Sequence, residues 1–104
     1  MPSEKHQAKI QEIKNLYEKK GFTCQEETPI IRNGIINGQV GKIDLCCQHP
    51  KKIVRCFEVE DSQKQAVENS RDLQRMEKVA KQKGIKNYKG CQLLSEENPS
   101  EVCR

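Results

Sequence analysis

Val40-Gly41-Lys42-Ile43-Asp44-Leu45-Cys46-Cys47 and Ile53-Val54-Arg55-Cys56-Phe57-Glu58-Val59-Glu60 are the two runs whose reading decides the fold. Both are short, apolar and β-branched in the manner of strands. Strand side chains alternate between faces. Ile43, Leu45 and Cys47 are therefore expected on one face and Asp44 on the other. In the second run Phe57 and Val59 oppose Glu58 and Glu60. The intervening Gln48-His49-Pro50-Lys51-Lys52 is polar, contains proline and is short enough to close a hairpin. Folded back, it brings Asp44 opposite Glu58 or one diagonal step away, at Cβ separations of roughly 5 or 7–8 Å. Acids among apolar neighbours are unfavourable unless paired or bound to a cation. Two carboxylates at this spacing repel each other, or share a divalent ion.

Working outward, residues 3–20 read as a helix capped by Ser3 and ended by Gly21, with Ile10, Ile13, Leu16 and Tyr17 on one stripe. His6 extends that stripe by one turn and reads as a partly buried structural histidine. Residues 22–27 alternate like a first strand, which Thr28-Pro29 is expected to break. Asn33-Gly34 and Asn37-Gly38 mark turns, so Ile30, Ile31, Ile35 and Ile36 suggest a small hairpin or flap. After the two acidic strands, residues 62–83 form a second helix. Ser62 and Gln65 stand at capping-box spacing, Ala66, Leu73, Met76 and Ala80 form its core stripe, and Gly84 stops it. Residues 88–94 are a last strand. The expected fold class is α/β, with element order αβββαβ, a mixed central sheet and helices packed on it. Residues 1–94 make one domain, and 95–104 a flexible polar tail.

Composition limits the possibilities. The chain has 104 residues, 34% hydrophobic and 33% charged, with two Tyr, two Phe and no Trp, so its core is thin and a homodimer would help it. The net charge of +4 suits a polyanion partner. No apolar run reaches the roughly 20 residues of a membrane span, and no secretory leader is evident. These features point to a cytoplasmic protein without a membrane role. Of six cysteines, Cys24, Cys46, Cys47 and Cys56 lie in strands and read as buried thiols acting as small hydrophobes. Cys91 and Cys103 are the pair placed to cross-link. No Cys-x-x-Cys pair exists, and His6 and His49 lack ligand spacing to the cysteines, which argues against structural zinc.

The element order, with Gly41-Lys42-Ile43-Asp44 on the second strand and Phe57-Glu58-Val59-Glu60 on the third, resembles the PD-(D/E)xK nuclease superfamily. Within it, the chain is similar to small archaeal and viral members near the Holliday-junction resolvases. The resemblance covers about residues 3–94 and implies a restriction-endonuclease-like core that hydrolyses phosphodiesters in DNA, or RNA, with Mg²⁺ or Mn²⁺. It implies that Asp44 and Glu58 bind the metal and that Val59 offers its backbone carbonyl. Glu60 stands where the family carries lysine. It becomes an additional ligand or a proton acceptor, and Lys42, two residues before Asp44, is the candidate for the displaced positive charge. In several such nucleases an acid of the first helix joins the site, which here would be Glu12. Gln65 and Asn69, four residues apart on the second helix, are expected to hold Glu60, a water or a phosphate. Lys64, Arg71, Arg75 and Lys78 form a basic strip suited to phosphate contacts. The alternative is a catalytically inactive nucleic-acid-binding module of the same fold.

Overall fold

A computed structural model describes residues 4–31, 38–61 and 63–98, with only the helix backbone described at 63–69. Six elements follow in the expected order: α1 (Glu4–Lys19), β1 (Thr23–Ile31), β2 (Gln39–His49), β3 (Ile53–Glu60), α2 (Gln63–Gln82) and β4 (Asn87–Leu94). The sheet is ordered β1-β2-β3-β4. The first three strands pair antiparallel, and β4 lies parallel to β3. A parallel neighbour requires a crossover, which α2 supplies. The chain is thus an α/β protein, with a mixed four-stranded sheet and two helices among the described residues.

Each helix covers one face. Ile10, Ile13 and Tyr17 of α1 pack on Leu45, Cys47, Phe57, Val59 and Leu93. Val79 of α2, with Leu73 and Met76 partly buried beside it, packs on Ile30, Ile43, Cys46 and Cys56. Three of the four aromatic rings gather at the α1 side, with Tyr17 5.0 Å from both Phe22 and Phe57, so the scarce large side chains are concentrated in one core. Gly21 ends α1 at φ 92°, and the next residue, Phe22, donates its N–H to Tyr17 O. That left-handed turn suits glycine.

β1 does not stop at Thr28-Pro29. It runs on to Ile31, because β1 is an edge strand, where a missing N–H need not interrupt the ladder. The pleat there departs from simple alternation. Cys24 packs on the α1 side and Ile30 on the α2 side, although both are even-numbered positions of one strand. Likewise Leu45 lies on the α1 side and Ile43 on the α2 side, which corrects the expected common face of Ile43, Leu45 and Cys47. One pair is missing from the ladder at this level, with the register unchanged on either side, since Glu26 pairs with Leu45 and Thr28 with Ile43. The residues between them are Glu27, at φ 49°, and Asp44. A single left-handed residue inverts the alternation, and its partner strand follows.

The strand cysteines are cross-linked rather than free. Disulfides join Cys24 to Cys47 and Cys46 to Cys56, each across a directly opposed antiparallel pair. Cys91 is disulfide-bonded as well. Alternation alone gives the cysteines' burial, and pairing follows from register, which composition does not reveal. Such bonds fit an oxidising compartment and also the intracellular proteins of hyperthermophiles. The start of the expected flexible tail is bound down: Ser95 N–H donates to Glu60 O, and Glu97 accepts from Leu94 N–H through Oε1 at 2.7 Å. Of the hairpin or flap expected at 30–39, Ile30 and Ile31 belong to β1 and Gln39 to β2, while 32–37, like residues 99–104 with Cys103, lie outside the described residues. No helix among the described residues is long and apolar enough to cross a membrane.

Candidate metal centre

The hairpin closes tightly. His49 pairs with Ile53, and Lys52, at φ 63°, returns its N–H to His49 O. From there the β2–β3 register is fixed, and its last ladder pair is Leu45 with Phe57. One step further, Asp44 faces Glu58 and the backbone ladder gives way to side chains. Asp44 N–H donates to Glu58 Oε1 at 3.2 Å, and Val59 N–H donates to Asp44 Oδ2 at 2.9 Å. The two carboxylates occupy the place of the missing ladder bonds. Glu60 comes next on the same face as Glu58.

Among the described residues, one group suits a metal ion. Asp44, Glu58 and Glu60 each offer a carboxylate oxygen, and the three oxygens lie within 4.8 Å of one another. Glu58 is 5% and Glu60 4% exposed. These are the only two charged residues buried among the described residues. Burial, followed by the charge of Asp44, pushes the Glu58 carboxyl from 4.5 up to about 9. Glu60 and Asp72 add to the rise, while the hydrogen bond from Asp44 N–H opposes it. Three converging oxygens and a carboxyl driven to keep its proton form a donor set suited to a hard divalent cation, which takes oxygen ligands and offsets the mutual repulsion.

The helices add groups that the strand pattern did not indicate. His6 of α1 places Nε2 3.0 Å from Asp44 Oδ2, so it belongs to the site rather than to the core alone. Helical spacing with Ile10 and Ile13 gave its face but not its partner. Glu12, the first-helix acid that the family resemblance suggested, is half exposed and bonds Lys9 at 2.7 Å. From α2, Asp72 approaches β2 where Gly41 has no side chain: a Cβ there would lie 2.5 Å from Asp72 Oδ1. The glycine of Gly41-Lys42-Ile43-Asp44 thus admits an acid from the helix, and the charge of that acid reaches Glu58.

The expected cations are placed differently. Lys42 is exposed, and its amine lies 3.6 Å from Glu27 Oε1. The pleat inversion at Glu27 and Asp44 separates it from the face that same-strand spacing had assigned. Arg75 bridges α2 to β2, donating to Val40 O at 3.1 Å and Asp72 Oδ1 at 3.2 Å. Arg71 and Lys78 are exposed. The side chains of Lys64, Gln65 and Asn69 lie outside the described residues.

No family model matches the chain, and no curated protein does. Among solved structures, a protein of unknown function from Silicibacter pomeroyi is similar with a TM-score of 0.48 at 17% identity, over 100% of this chain and 61% of that one. The chain therefore spans about three fifths of that protein's length.

Proposed function

We propose that the protein is a nuclease of restriction-endonuclease-like fold that hydrolyses DNA phosphodiesters with Mg²⁺ or Mn²⁺. The observation that carries this reading is the convergence of Asp44, Glu58 and Glu60 within 4.8 Å where the β2–β3 ladder opens. Acids so placed would repel a phosphate unless a cation lay between them. Asp44 and Glu58 would hold the ion, with Glu60 and the Val59 carbonyl completing its protein ligands. When bound, such an ion polarises a phosphoryl oxygen and lowers the pKa of a coordinated water. The chain's own part begins with Glu58, which releases its proton to become a ligand. Glu60, buried beside it, would serve either as that further ligand or as the acceptor of a proton from the attacking water. The exposed Arg71 and Lys78, with Arg75 on the same helix, would contact phosphates and orient the duplex without reading sequence. A homodimer would supply a second copy of the site for the opposite strand.

One observation favours a rival. Glu60 replaces the family's lysine, and the nearest candidate substitute, Lys42, is paired with Glu27. A non-catalytic DNA-binding module would fit that arrangement. The deciding experiment is cleavage of linear, branched and single-stranded DNA, and of RNA, with Mg²⁺ or Mn²⁺, comparing wild type with Asp44→Ala and Glu58→Ala. Metal-dependent cleavage lost in both variants supports the enzyme. Salt-sensitive binding with no cleavage in any of the three supports the module.

A further inference from the structure

We propose that His6 is a positioning residue of the metal centre, fixing the Asp44 carboxylate so that a single oxygen, Oδ1, is presented to the ion. This rests on the metal-binding reading above. His6, Ile10 and Ile13 occupy one face of α1 by their i, i+4, i+7 spacing. Ile10 and Ile13 are 3% and 0% exposed, so the helix is anchored by that face. The anchor carries the imidazole to the middle of β2, where Asp44 lies.

Asp44 Oδ2 is already shared by two donors. Val59 N–H reaches it at 2.9 Å and His6 Nε2 at 3.0 Å. An ionised carboxylate has no hydrogen to give, so the proton of the second bond sits on Nε2. One carboxylate oxygen has two lone-pair directions, and both on Oδ2 are used. Oδ1 is left for the ion, and chelation through both oxygens is excluded while His6 is in place. A protonated Nε2 has no lone pair for a cation, and a hard ion prefers oxygen to imidazole. His6 therefore acts through Asp44 and does not touch the ion. The two side chains are 15% and 25% exposed, so water competes weakly for the bond. Val59 N–H supports Oδ2 from the opposite strand and His6 supports it from the helix. Removing the imidazole leaves one support, and the carboxylate can rotate.

The test uses the full chain, with Mn²⁺ as probe. Calorimetric titration of Mn²⁺ should show affinity reduced about 10–100-fold in His6→Ala, the range found when an outer partner of a metal ligand is lost, and within about threefold of wild type in His6→Gln. The Gln amide nitrogen reaches the place of Nε2. His6→Asn, with the same amide on a shorter stem, should behave like His6→Ala, which separates the lost hydrogen bond from a general loss of packing. Thermal unfolding in chelator reports whether each variant folds. Pulsed electron paramagnetic resonance of bound Mn²⁺ should show no nitrogen coupling from an imidazole. Three results overturn the proposal: unchanged affinity in His6→Ala, equal affinities in His6→Gln and His6→Asn, or a directly coupled nitrogen in wild type. If wild type takes up no Mn²⁺ at millimolar concentration, the metal reading itself is refuted and the assignment falls with it. That outcome is distinguishable because it appears before any variant is compared.

Discussion

In a chelator, this protein should lose stability as pH rises through neutrality, and Glu58 should be the cause. Its carboxyl titrates near 4.5 in an unfolded chain and is pushed up to about 9 in the fold, by burial first and by the charge of Asp44 second. Between those values the folded protein holds a proton that the unfolded chain has released. Stability is therefore complete below pH 4.5 and declines until about pH 9. The full slope for one group is about 1.4 kcal/mol per pH unit, so the three units from pH 5.5 to 8.5 amount to about 4 kcal/mol. That is a large share of the roughly 5–15 kcal/mol that holds a domain together. Urea unfolding at fixed temperature, repeated across that range in chelator, reads it directly. Glu58→Gln keeps an acceptor for Asp44 N–H, cannot ionise, and should flatten the profile. Mn²⁺ should restore stability most at high pH, where expelling the proton costs least. Wild-type stability that is flat or rises with pH, superimposable on Glu58→Gln, would refute the reasoning, because the carboxyl would then be ionised in the fold without penalty.

Other outcomes follow from single contacts. Gly41→Ala should cost about 1–3 kcal/mol in urea unfolding, as its Cβ would meet Asp72 and Ile30; an unchanged midpoint would mean that α2 yields freely. Glu27→Gly should stabilise by about 0.5–1 kcal/mol by relieving the left-handed φ, and Glu27→Val should destabilise and lower Mn²⁺ affinity by disturbing the pleat. Lys42→Ala should leave Mn²⁺ affinity within about twofold, because its amine pairs on the surface with Glu27; a loss of tenfold or more would return Lys42 to the site. Reduction of both strand disulfides, which close loops of 23 and 10 residues, should cost about 3 kcal/mol each, read as a shift of the thermal midpoint.

Much of the fold was legible because local signals agreed. The run from Ile53 to Glu60 matches β3 in both bounds, and the helices end at Lys19 and Gln82, each two residues before the glycine, Gly21 or Gly84, that capping and periodicity pointed to. The pairing of Asp44 with Glu58 followed from the length of the Gln48–Lys52 turn. The misses have physical reasons. Proline reads as a strand breaker only where both sides of a strand are paired, and β1 is an edge. The face of Ile43 depended on a left-handed residue at Glu27, which is not a glycine and carries no sequence mark. The partners of His6 and Asp72 depended on how helices settle on the sheet, which periodicity constrains by face but not by height. Cysteine pairing required the register of three strands at once.

Cys46 and Cys47 are neighbours in the chain, yet one staples β2 to β3 and the other staples it to β1. A consequence reaches the unfolded ensemble. Asp44 and Glu58 each lie two residues from the Cys46–Cys56 bond, so oxidised chains stripped of all other structure still hold these acids near one another. Such chains retain some appetite for divalent ions. Added metal should therefore protect the oxidised protein against denaturant less than its native affinity implies, and the shortfall should vanish once the thiols are reduced and blocked.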